Sequence, residues 1–245
     1  MIYRSVNEKL AWAKYHFELL KSEVERYAQS NPGNAVLDAD RNVNRAVVGF
    51  ESLHPIPVSI PLTIGDCAQN LRSALDYLIY EIVIANGGKP TEKHAFPVCK
   101  TYDRFRDLRN KRLAGVPGST VTLIESLQPY FDGKPYESDP LYIIDELANI
   151  NKHRHIPVTF LKSRVILGTS GAMWSKGGGL SMTLSMGVAQ ANTQVPAAVS
   201  VTDQPQMYHQ IVASIAFSEG CAKGEFVAEV LDKLMKFVEG IVSRF

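Results

Sequence analysis

Arg72 and Asp76 stand four residues apart inside the apolar stretch "DCAQNLRSALDYLIYEIV" (66–83), and "NINKHRH" (149–155) packs two Asn, a Lys, an Arg and two His into seven residues. These are the residue types of anion and acid–base chemistry. A guanidinium positions a phosphate or carboxylate through a planar fork of donors, and an imidazole near its ordinary pKa gives or takes a proton. At 100° per residue, Asp66, Gln69, Ser73, Asp76 and Tyr80 fall along one side of a helix, with Arg72 reaching Asp76 one turn on. If the helices carrying the two clusters meet, Arg72, Asp76, Asn149, His153 and Arg154 form one network. That network has two readings. One is a satisfied polar lock that fixes the register of two helices. The other is a site for a small anionic ligand or nucleotide, with Arg72 and His153 as the catalytic pair of an enzyme and Asp76, Asn149, Asn151 and Arg154 around the ligand.

Other chemistries find less support. His153 and His155 are two apart near a helix end and cannot share a face as an HxxxH pair does, so no metal site and no cofactor is expected. There is no G-x-S-x-G elbow, and "KGGGL" (176–180) lacks the Lys-Ser/Thr ending of a phosphate loop. "KTYDRFRDLRNKR" (100–112) carries six positive and two negative side chains with Tyr102 and Phe105 among them, the pattern of an RNA-binding strip. Its plainer reading is a short helix with Phe105 and Leu108 facing inward, and with Asp103 and Asp107 paired to Arg106 and Lys111.

The scaffold that must position these residues is a chain of 245 residues, 45% of them hydrophobic, enough for a sizeable core. Twenty-six Lys and Arg against 25 Asp and Glu leave a net charge of +1, so no global field draws it to nucleic acid or an anionic membrane. Cys67, Cys99 and Cys221 are widely spaced with no CxxC, which suits a reducing cytoplasm. The start lacks the continuous apolar core of a signal peptide. The charge-free stretch 177–202 is too rich in Gly, Ser, Thr, Gln and Asn to span a bilayer as a helix. The expectation is a soluble cytoplasmic protein with no membrane partner.

The spacing predicts a helix over 5–29, opened by a Ser5–Glu8 capping box and buried along Val6, Leu10, Ala13, Phe17, Leu20, Val24 and Tyr27, with Trp12 and Leu19 widening the stripe. A strand is expected within 42–53 and an edge strand or extended linker at "HPIPVSIP" (54–61). A second long helix, 62–85, buries Ile64, Cys67, Leu71, Leu75, Leu78, Ile82 and Ala85 and stops at "NGG". Short helices at 101–112 and 119–127 precede a helix over 140–155, started by Asp139 and Pro140 and closed ahead of Pro157. Strands follow at 158–167, 180–188, 197–202 and 209–217, then a last helix over 225–244. This order gives one α+β domain over 1–245, a helical core with an antiparallel sheet built mainly from the C-terminal half. The first and last helices, both with seven-residue stripes, are expected to pair. An edge exposed in 177–202 would favour a homodimer.

Together "GDCAQNLRSALDYL", "FPV" (96–98), "QPY" (128–130) and "NKHR" (151–154) resemble a family of uncharacterised bacterial proteins across roughly residues 60–155. That resemblance implies bacterial origin. The chain is also loosely similar to the HEPN superfamily, dimeric metal-independent ribonucleases in which the 2′-hydroxyl attacks the adjacent phosphate while a His assists proton transfer and an Arg stabilises charge. This likeness implies RNA as substrate and Arg72 with His153 as the pair. HEPN enzymes carry the His four to six residues after the Arg, whereas the position given by a four-residue spacer is Tyr77.

Overall fold

The computed structural model describes residues 3–30, 34–40, 45–51, 54–169, 195–198 and 207–245. Its elements are α1 (Arg4–Gln29), β1 (Asn34–Asp40), β2 (Arg45–Glu51), α2 (Ser59–Ala85), α3 (Tyr102–Arg112), α4 (Gly118–Ser126), a 3₁₀ turn (Tyr136–Ser138), α5 (Pro140–His153), β3 (Val158–Thr169), β4 (Val195–Ala198), β5 (Met207–Phe217) and α6 (Val227–Val242). The class is α+β, as the order of elements predicts. By its internal contacts the chain divides into two compact units. A helical unit comprises Met1–Glu23, Val58–Pro157 and Phe217–Phe245, and a strand-rich unit comprises Val24–Pro57 and Val158–Ala216.

In the strand-rich unit β1 and β2 form an antiparallel pair from Asn34↔Glu51 to Asp40↔Arg45, and β4 lines the other side of β2 from Arg45↔Ala198 to Val48↔Val195. Among the described residues β4 is an edge strand, where the missing donor of Pro196 need not break a ladder. A second sheet pairs β3 with β5. The expected strand at 180–188, with "KGGGL" and most of the uncharged 177–202 stretch, lies outside the described residues. β1 escapes sequence reading because Asn34, Asp38 and Asp40 are poor strand formers.

The helical unit is organised around α2. Six members of its expected stripe, Ile64 to Ile82, are buried, while Ala85 is exposed. A second set, Ile60, Ala68, Ala74, Ile79 and Val83, is buried as well. The reason is that α2 is packed from two directions, by α1 along one side and by α5 and α6 along the other. Each large aliphatic side chain so enclosed stabilises the fold by about 1.5–3 kcal/mol relative to exposure.

The ends of α2 follow local chemistry. It starts at Ser59, three residues earlier than predicted, because Pro61 sits in the first turn, where its missing N–H would have no partner anyway. Only 54–57 of "HPIPVSIP" precede the turn that leads into the helix, and they form no regular structure. At the other end Gly87 takes φ +76°, a conformation that favours glycine. The Gly88 N–H then reaches Val83 O and the Gly87 N–H reaches Ile84 O, both at 2.9 Å, closing the helix.

α1 corrects three expectations. It begins at Arg4, and no capping box forms: the Ser5 N–H donates to Glu81 on α2 at 2.7 Å, and Glu8 pairs with Arg4. Trp12 and Leu19 do not widen the buried stripe but are exposed, Trp12 at 54% and stacked on Tyr15 at 5.1 Å. Nor is the last helix the partner of the first. The Tyr3 hydroxyl donates to Phe245 O, but the body of α6, with Val227, Leu231, Leu234, Val238 and Ile241 buried, lies against α2 and α5.

Candidate functional site

Arg72 is the most enclosed charge of the helical unit, its side chain only 9% exposed. Three of its nitrogens are committed: Nη1 to Asp76 Oδ1 at 2.6 Å, Nε to Asp145 Oδ1 on α5 at 2.9 Å, and Nη2 to Phe96 O at 2.9 Å. Asp76 Oδ1 also accepts the Phe96 N–H at 2.9 Å. The helix therefore holds both polar groups of Phe96, whose ring is fully buried. Two carboxylates against one guanidinium leave the cluster with an excess of negative charge, and both carboxylates keep partial contact with solvent.

The loop after Phe96 is held from its other side. Gln128 is 2% exposed, and its amide nitrogen donates to Pro97 O at 3.0 Å and Ile124 O at 3.1 Å while its oxygen accepts the Cys99 N–H at 3.0 Å. A buried amide spent this fully is a structural clamp. α5 approaches α2 at a second point, where Asn151 lies so close to the Gly65 backbone that a β-carbon there would overlap its side-chain amide. The segments "GDCAQNLRSALDYL", "FPV" and "QPY" are thus linked in succession, and "NKHR" touches the first of them through Asn151.

The helices that carry the two predicted clusters meet, but the clusters themselves do not. Asp145, absent from the sequence reading, makes the bridge to Arg72. Asn149, His153 and Arg154 do not join it. With 3.6 residues per turn, each step of four beyond Asp145 rotates about 40° further round α5, so Asn149 and His153 turn into solvent, and both are exposed. Arg154 lies past the helix end and pairs with Glu219 at 2.9 Å, both groups more than half exposed, a contact worth little. Asn151 does reach α2, but against Gly65 and not Arg72. Asp145 shares the stretch between Ile144 and Leu147 with Glu146, so the sequence alone does not single it out.

The basic strip is partly as expected. Phe105 is buried, so it is not a stacking surface, and Leu108 is half-buried. Asp103 pairs with Arg106 at 3.2 Å as expected, but Asp107 approaches the same Arg106 at 4.0 Å, and Lys111 meets no carboxylate among the described residues.

No thiol is poised as a nucleophile. Burial, with Asp66 beside it, pushes the Cys67 thiol up to about 12. Burial and then a hydrogen bond with Glu146 take Cys221 to about 11. Burial also raises Cys99, against the opposing pull of Arg112 and Arg104. Thiols so placed stay protonated at neutral pH and are weak nucleophiles. Among the described residues no three His, Cys, Asp or Glu side chains converge as a ligand set, and no helix is long and apolar enough to cross a membrane. No family model, curated protein or solved structure matches the chain.

Proposed function

We propose that this chain is a non-catalytic binding protein in which Arg72, Asp76 and Asp145 form a structural lock. The observation that carries this reading is the commitment of three Arg72 nitrogens to two carboxylates and a backbone carbonyl in a nearly closed environment. A small anion would have to displace a carboxylate that already occupies its place, which is unfavourable for a cluster with surplus negative charge. The ribonuclease reading needs Arg72 and His153 to converge on one phosphate, and His153 is exposed and bonded to neither Arg72 nor Asp145. A bacterial cytoplasm is the setting we infer for it, supported by three free thiols, two of them buried.

The test is an RNA-cleavage assay in EDTA, run beside phosphate titration, on the unmodified protein and on Arg72→Met and His153→Ala variants whose circular dichroism matches it. The lock reading expects no cleavage that depends on His153 and no phosphate binding that depends on Arg72. Cleavage lost in a folded His153→Ala protein would overturn it in favour of a ribonuclease. Phosphate binding lost in a folded Arg72→Met protein would overturn it in favour of an anion site.

A further inference from the structure

α1 carries a second line of side chains besides the one it buries. Glu8, Trp12, Tyr15, Leu19, Ser22 and Arg26 alternate steps of four and three residues, the a and d positions of a heptad. At 100° per residue this line is centred roughly 150° round the helix from the buried Val6, Ala13, Phe17 and Leu20. All six side chains are exposed. Single apolar residues on a surface are ordinary, but here Trp12, Tyr15 and Leu19 follow one another along one face. Mutual contact holds the rings in place: Trp12 stacks on Tyr15 at 5.1 Å and meets His16 edge-on at 5.4 Å.

The line is its own complement when inverted about position 17. Glu8 and Arg26 lie nine residues to either side of it, Trp12 and Ser22 five, and Tyr15 and Leu19 two. In an antiparallel pair with its two-fold axis there, each a position faces a d position. Trp12 meets the partner's Ser22, Tyr15 the partner's Leu19 and Glu8 the partner's Arg26. Rings then face smaller side chains, and opposite charges close both ends. A parallel pair would instead set Glu8 against the partner's Glu8 and Arg26 against the partner's Arg26. The charges are placed to respond. Arg26 meets no carboxylate among the described residues, and Glu8 pairs with Arg4 at 2.9 Å with both groups well exposed, a contact cheaply exchanged. Glu18, close to the axis, is neutralised by Lys21 at 2.7 Å.

We infer that the Glu8–Arg26 face of α1 is a homodimer interface, on which α1 of a second copy of this chain packs antiparallel about a two-fold axis near Phe17. The face spans roughly 27 Å of helix. An anionic membrane would take the rings but finds little charge to hold, because α1 carries five Lys or Arg against four Glu. An unrelated partner would have no need of charges that match under inversion. The interface is separate from the Arg72 lock, and either can fail without the other.

The experiment is sedimentation equilibrium of the full chain from about 1 to 100 µM, a range that covers micromolar dissociation constants. All substitutions fall on exposed side chains and are checked for folding by circular dichroism. We expect a monomer–dimer equilibrium. Trp12→Ala with Leu19→Ala should weaken it roughly a hundredfold or more, since each copy loses its central Trp. Glu8→Arg alone and Arg26→Glu alone each set like charges together at both ends, and each should weaken it by roughly three- to tenfold at low salt. Glu8→Arg combined with Arg26→Glu should restore the affinity of the unmodified protein. A monomer at every concentration overturns the inference, as does a dimer that survives loss of Trp12 and Leu19. Single charge reversals without effect, or a double reversal that does not rescue them, overturn the antiparallel pairing and the inference with it.

Discussion

Arg72 and Phe96 are joined at the backbone: Nη2 donates to the Phe96 carbonyl at 2.9 Å, while Asp76, held by the same guanidinium, accepts the Phe96 N–H at 2.9 Å. The charges of an apolar helix thus hold a peptide group 24 residues away. A buried loop residue must find partners for both its N–H and its C=O, and here one ion pair supplies both. Removing Asp76 would leave Arg72 enclosed, and removing either charge would leave one end of the Phe96 peptide unpaired.

Arg72→Ala should therefore cost about 1–3 kcal/mol in urea unfolding, the cost of leaving the buried Phe96 carbonyl without its donor. Asp145→Asn, which keeps a hydrogen-bonding oxygen at a half-exposed position, should cost about 1 kcal/mol. His153→Ala should stay within about 0.5 kcal/mol, and the Arg72→Ala and His153→Ala effects should add. Strong coupling between those two positions would contradict the geometry described for α5.

Gln128→Ala removes the partner of the Cys99 N–H and of the Pro97 carbonyl in a closed environment. A loss of about 1–3 kcal/mol is expected. Hydrogen exchange gives the sharper readout: the Cys99 amide should lose protection well before the amides of central α2 do, since the loop is clamped separately from the helix.

Gly65→Ala tests the second approach of α5 to α2. A β-carbon at 65 meets the Asn151 amide, so the variant should lose about 1–3 kcal/mol by overpacking. In an Asn151→Ala background the same change should be nearly neutral, since alanine is the better helix former once the clash is gone. Equal losses in both backgrounds would mean that the close contact is not the cause.

The Cys67 thiol makes a prediction in pH. Its folded pKa of about 12 lies above the ordinary 9.0, so the folded state holds a proton that the unfolded chain gives up. The stability this contributes is present below about pH 9 and declines as pH rises toward about 12. Urea midpoints measured from pH 8 to 11 should fall more steeply for the unmodified protein than for Cys67→Ala. Parallel curves would show that the thiol does not titrate in that window.

The parts of the fold most legible in the sequence were those fixed by local chemistry. Asp139 caps α5, accepting the Leu141 and Tyr142 N–H groups, and Pro140 follows in the first turn; Asn86, Gly87 and Gly88 close α2. Periodicity found the stripes of α1, α2 and α6 but could not say how many neighbours each helix has, so α2 was read as one-sided when it is enclosed. Trp12 was assigned to the interior on hydrophobicity alone and proved exposed. At the site, Arg72 and Asp76 were legible because a charged pair inside an apolar helix demands an explanation. Asp145 was not, since its role depends on which turn of α5 crosses Arg72, a matter of packing between helices distant in sequence. The cluster at 149–155 drew attention by its density of polar side chains, a density explained as well by the solvated end of a helix whose dipole favours Lys152 and His153.

The interleaving of the two units has a bearing on synthesis. α2 takes its neighbours from α1, from α5 and from α6, and the last of these is encoded after two excursions into the strand-rich unit. A nascent chain displaying α1 to α5 would still carry an uncovered apolar face on α2, awaiting Val227, Leu231 and Leu234 from the final stretch of translation. Contacts so distant in sequence close slowly, and a ribosome stalled in β5 would present a sticky, unfinished intermediate.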